Sequence, residues 1–169
     1  MISMLRPGGD AASRAAWYGV AVLLLTGIHH AYGAYAFDTP WRLHAVYVAA
    51  AAALALLGAR AVVRAETSPA LRILAQAVFV VVTLGVAVVM FGLFEGGYNH
   101  LVKNVLYFGG APPALMTQLF PPPAYELPND VFFELTGILQ LVPAVLAAAW
   151  FYRMAREPLT SRAHRPQAG

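Results

Sequence analysis

Four stretches of this sequence, 15–37, 41–63, 70–94 and 131–152, run for about twenty residues or more with very few charges. That is the length a helix needs to cross the hydrocarbon of a bilayer, and no other feature narrows the fold as much. Charged residues make up 11% of the chain, against roughly a quarter in soluble domains, so lipid is the expected solvent. The expected fold is an all-α integral membrane protein, a single domain over 1–169 built as a four-transmembrane-helix bundle.

The connections support this reading. Asp38-Thr39-Pro40 is a tight turn, and Pro40 suits the first turn of a helix, where a missing N–H costs nothing. The second connection, 64–68, offers Thr67 or Ser68 as an N-cap before Pro69. Connections this short make consecutive helices antiparallel neighbours. Arg6 and Arg14 precede the first span, Arg60, Arg64 and Arg72 flank the second connection, and Arg153, Arg156, Arg162 and Arg165 follow the fourth span. Only Arg42 and Lys103 fall on the other side. The positive-inside rule then expects both termini in the cytoplasm, with a bacterial inner (plasma) membrane as the natural home. Arg14, an apolar run and Ala34-Tyr35-Ala36 imitate a cleavable signal peptide. The run resumes after a three-residue turn, however, so a retained span is expected.

Segment 95–130 is then periplasmic or its equivalent. Residues 98–108, YNHLVKNVLYF, read as a short interfacial helix with aromatic anchors, stopped by Gly109-Gly110. Pro112-Pro113, a turn of helix over 114–120 and Pro121-Pro122-Pro123 read as a stiff cap over the bundle mouth. The alanine-rich second span lets neighbours approach closely. Pro143 should kink the fourth span and free the carbonyl of Leu139.

Several function classes are excluded. The chain has no cysteine, which removes thiolate nucleophiles, Fe–S clusters and blue-copper sites. The net charge of +3 comes from residues at the edges of apolar segments, a topology signal and not a nucleic-acid patch. Neither a phosphate-binding glycine loop nor a GxSxG elbow is present.

What remains is a segregated polar set. His29, His30, His44 and His100, with Asp38, Glu95, Glu126, Asp130 and Glu134, all fall in the outer half of the expected bundle. At 1.5 Å per residue, His29 and His30 lie about 10–12 Å below the outer end of the first helix, and His44 and Glu134 roughly 5 Å inside theirs. Each span therefore carries an ionisable group at similar depth. Such groups are expensive in hydrocarbon unless they pair, face a wet cavity or hold a metal. Each also has an ordinary reading: an interfacial histidine at His44, a helix-end carboxylate at Glu95, an N-cap at Asp130, and a carboxylate neutralised by Arg42 or Lys103 at Glu134.

Imidazoles and carboxylates from facing helices build metal centres in four-helix bundles, and such ligands suit Fe, Cu, Mn or Zn. His29, His30, His44, Glu95, His100 and Glu134 are the candidate ligands, with Glu95 and Glu134 as candidate catalytic carboxylates. Tyr98, Asn99 and Asp130 would support them from behind. No Glu-x-x-His or HExxH motif is present. The leading expectation is a metal-binding, redox-active site acting on a lipophilic molecule from the bilayer. The alternative is a non-catalytic subunit, assembly factor or small transporter within a homo-oligomer or larger membrane complex. A haem or quinone electron carrier with two axial histidines, and a metal-free acid–base isomerase or hydratase acting on a lipid, complete the set.

Overall fold

The computed structural model describes residues 9–65 and 68–163, with side chains through Arg156. Arg6, Thr67, His164, Arg165 and the side chain of Arg162 lie outside the described residues. Helix α1 spans Asp10–Ala36, α2 Leu43–Arg64, α3 Pro69–Phe108, α4 Pro113–Leu119, α5 Val131–Leu139 and α6 Leu141–Ala163. Four helices are long and apolar enough to cross a membrane: Asp10–Ala36, Pro40–Arg64, Pro69–Phe108 and Val131–Arg156.

Local chemistry sets the ends. After α1, Asp38 adopts φ 50°, a left-handed conformation that short polar side chains tolerate better than most. This lets the Thr39 amide bond back to the carbonyl of Ala34 at 3.0 Å. Pro40–Arg42 then makes a single 3-10 turn leading into α2. Ser68 caps α3, its hydroxyl accepting from the Leu71 amide at 3.4 Å, and Asp130 caps α5 by accepting from the Phe133 amide at 2.8 Å. The helical ladder breaks at Gln140, between α5 and α6 and three residues ahead of Pro143.

Helix α1 is central and packs on α2, α3, α5 and α6. Its buried face is made of small residues, among them Ala12, Ala15, Ala16 and Gly19. On α2, Ala45, Ala49, Ala52, Leu56 and Ala59 form a buried stripe at helical spacing, so the backbones approach closely.

The third helix departs from expectation. It does not end at Phe94, and 98–108 is no separate interfacial helix; the chain continues helically to Phe108. From Val81 to Val102 it is wound as a π-helix, with hydrogen bonds closing i→i+5, as from the Lys103 amide to the Tyr98 carbonyl. Gly96 does not stop the helix; it lets the helix meet its neighbour. A Cβ there would lie 2.9 Å from the Gly137 carbonyl oxygen and 3.1 Å from the Leu141 nitrogen.

The proline-rich segment packs onto α3. Met116 and Phe120 are buried, Phe120 lies against the Tyr98 ring at 5.1 Å, and the Tyr98 hydroxyl donates to the Leu119 carbonyl at 3.2 Å.

Candidate metal centre

Two helices deliver three donor atoms to a common point: His29 from α1, and Glu95 and His100 from α3, with α5 behind them supplying Glu134 and Thr136. His29 Nε2 and His100 Nε2 are 3.1 Å apart. Glu95 Oε1 is 3.7 Å from the first and 3.5 Å from the second, closing a triangle. The π-winding of α3 makes this arrangement available, because i→i+5 bonding brings residues four and five apart onto one face. Glu95, Asn99 and His100 thus point the same way.

The outer partners fix which ring nitrogens carry hydrogen. The Thr136 hydroxyl has one proton and lies 2.8 Å from the Phe132 carbonyl, one turn back. Its oxygen is therefore left to accept from His29 Nδ1 at 3.1 Å. His100 Nδ1 meets Glu134 Oε2 at 2.8 Å. That carboxylate also accepts from Lys103 Nζ at 2.8 Å and from the Asn104 amide, so His100 Nδ1 donates. When neutral, both imidazoles then carry their hydrogen on Nδ1 and aim a bare Nε2 lone pair inward. Two lone pairs and a carboxylate oxygen facing one another repel unless a cation sits among them. A metal ion fits the spacing. Donors about 2.0–2.1 Å from a metal lie roughly 3.3–3.4 Å apart in tetrahedral geometry, within a few tenths of an ångström of the observed edges of 3.1, 3.5 and 3.7 Å.

Metal-bound histidines usually donate their other N–H to a carboxylate or another oxygen, fixing ring orientation. Phe133 stacks on His29 with centroids 4.1 Å apart. Asn99 donates to Glu95 Oε2 at 2.9 Å. His29 is fully buried and His100 is 2% exposed, so neither is wetted by bulk solvent.

The other expected site residues fall around this triangle. His30 Nε2 is 3.7 Å from Glu95 Oε1, beside the centre. Glu134 faces the back of His100 and the Lys103 ammonium, a positioning role. His44 is exposed, bonds the Trp41 carbonyl at 2.5 Å and stands outside the cluster. Tyr98 holds the cap, as described above. Asp130 caps α5 and accepts from the Tyr32 hydroxyl at 2.8 Å; the Phe133 amide, followed by that hydroxyl, holds its carboxyl below the usual range. Burial, with Glu95 and Tyr98 nearby, pushes the Tyr125 hydroxyl up.

Thr136 and Asn104 were not among the sequence candidates. Asn104 lies four residues after His100 and Thr136 two after Glu134, spacings too common to single them out. One turn below His29 along α1, Thr26 reaches Gln140 at 2.5 Å, both fully buried.

A cleft of about 240 Å³ opens beside the triangle, lined by His30, Glu95, Asn99 and His100 on its inner side. Compared with protein-family models, curated proteins and solved structures, the chain matches none.

Proposed function

We propose that this chain is an integral membrane protein carrying a metal ion on His29, His100 and Glu95 near the outer face, redox-active toward a lipophilic molecule. The observation that carries the reading is the triangle of inward lone pairs whose outer N–H groups are already committed to Thr136 and Glu134. Two imidazoles and one carboxylate with the remaining positions open is the donor set of non-haem iron sites, and zinc and manganese accept the same atoms. The metal, when bound, would supply Lewis acidity or electron transfer. The chain supplies a dry enclosure, fixed tautomers and the adjoining cleft. A porphyrin is far too large for 240 Å³, so the haem reading has less support.

The topology proposed is N-in and C-in, with 109–130 as an outer cap. Its support is the gathering of cations at one end. Arg60 and Arg64 both donate to the Ser13 hydroxyl, and Arg14 and Arg153 both stack on Trp150. At the other end Arg42 pairs with Glu126 and Lys103 with Glu134. Buried cations that are fully paired support a closed structural site over an open conduction path, which places the transporter and subunit readings second.

Elemental analysis of protein purified without chelators tests the proposal. About one Fe, Mn, Cu or Zn per chain is expected, reduced in His29→Ala and His100→Ala and unchanged in His44→Ala. Folded protein with no metal in excess over the His100→Ala variant would end this reading; the triangle would then hold a shared proton.

A further inference from the structure

On the reading that the triangle binds a metal, we infer that the adjoining cleft seats a neutral single-ring aromatic molecule bearing hydroxyl donors, of the phenol or benzoquinol class, entering from the bilayer. The volume of about 240 Å³ lies below the roughly 300–1,000 Å³ of pockets that take drug-sized ligands. One substituted ring fits, and a lipid chain would have to stay outside. Trp41, Phe94, Tyr125 and Phe133 give the cleft aromatic walls, which favour a flat π-system. Trp41, in the turn ahead of α2, and Phe94, on α3, are each 48% exposed, so large apolar side chains run from the cleft lining to the surface. A hydrocarbon-soluble ring could pass there.

The charges lining the cleft cancel. Glu95 and Glu126 stand against Arg42 and Lys103, and Arg42 Nη2 lies 3.5 Å from Glu126 Oε1. Neither an anion nor a cation is favoured by these side chains when the triangle is empty, and a neutral guest enters without a desolvation penalty on charge.

The unmet hydrogen bonds set the polarity of the guest. Asn99 must present its NH2 to the Glu95 carboxylate, so its buried Oδ1 is a bare acceptor and has no partner. His30 Nε2 faces the same carboxylate at 3.7 Å, where a hydrogen is favoured over a lone pair. His30 Nδ1 is then a second bare acceptor, also buried and without a partner. Two residues lining one cleft thus carry buried acceptor atoms without a partner. An unmet buried acceptor is costly, so the complement is a guest with O–H groups. A quinone or an ether offers only acceptors and would leave both sites unmet.

The test uses the full chain in lipid nanodiscs, with empty nanodiscs subtracted. Methylbenzoquinol, kept reduced without oxygen, and its di-O-methyl ether are each titrated by calorimetry into metal-loaded and chelator-stripped protein. The quinol is expected to bind one per chain in both forms, with the ether at least tenfold weaker. Asn99→Leu and His30→Phe should each weaken the quinol about tenfold and leave the ether unchanged. Trp41→Ala, at a half-exposed position that does not threaten folding, should weaken both. Equal binding of quinol and ether, or binding of neither with metal still present, overturns this inference and leaves the metal reading standing. Quinol selectivity in a chain that never carries metal overturns the metal reading alone.

Discussion

Thr136 makes the hydrogen bond that decides how His29 acts. With its hydroxyl proton on the Phe132 carbonyl, the oxygen accepts from His29 Nδ1 and keeps Nε2 free. Thr136→Val keeps the shape and removes that acceptor. Loss of the hydrogen-bond acceptor behind a metal-bound imidazole typically lowers metal affinity about 10–100-fold, and competition with a chromophoric chelator should read that drop with helicity unchanged. A fully retained affinity would mean the tautomer is set elsewhere. Asp130 gives a pH test remote from the centre. Its carboxyl lies below the ordinary value in the folded chain, so the stability it adds is present above the unfolded value of about 3.9 and lost as pH falls through the lower folded value. Asp130→Asn keeps a capping oxygen and removes only the charge. The wild type should melt higher than this variant at pH 5–7, and the gap between the two midpoints should shrink as pH falls below about 3.9. The types of these residues were legible in the sequence, since imidazoles and acids stood out against apolar spans. Their pairings were not. Nothing in the one-dimensional order says that Glu134 serves the back of His100, or that His44 bonds its own turn and faces away.

At the scale of the helix, the reason for that illegibility is the winding of α3. Read at about 100° per residue, His100 would lie roughly 140° from Glu95, on another face. The i→i+5 winding over Val81–Val102 brings the two together. Gly96-Gly97 also reads as a stop when only sequence is available, because glycine is a poor helix former. Here Gly96 is the point where α3 touches the backbone between α5 and α6, and the contact offsets the propensity. Gly137 is tighter still: a Cβ there would fall 2.3 Å from the His100 ring. Gly137→Ala should therefore displace that ring, lowering metal occupancy and destabilising the chain by about 1–3 kcal/mol as overpacking does. Gly58→Ala, where a Cβ meets nothing within 4 Å, should leave occupancy intact and be neutral or stabilising by up to about 1 kcal/mol. Thermal unfolding and metal content measured on both variants check the contrast; equal effects would refute a packing origin.

For the molecule as a whole, the four long apolar helices were the most legible feature, because runs of about twenty residues with few charges stand out in the sequence and its pattern carries little else. The starts of α3 and α5 also followed from their caps at Ser68 and Asp130. The absence of cysteine makes orientation straightforward to test. Gln118→Cys, exposed in α4, should react with an impermeant maleimide on intact cells, and Ala65→Cys, exposed after α2, only once the membrane is opened. The reverse pattern would invert the topology proposed here. What binds the scales together is the claim that His29 and His100 turn bare Nε2 atoms toward one ion shared with Glu95. X-ray absorption on the purified protein at the edge of its bound metal addresses that claim most directly. The account predicts two imidazole nitrogens and at least one oxygen at about 2.0–2.2 Å, with the imidazole count falling to one in whatever metal His29→Ala retains. A metal whose spectrum shows no imidazole scattering, or the same count in the variant, would contradict it.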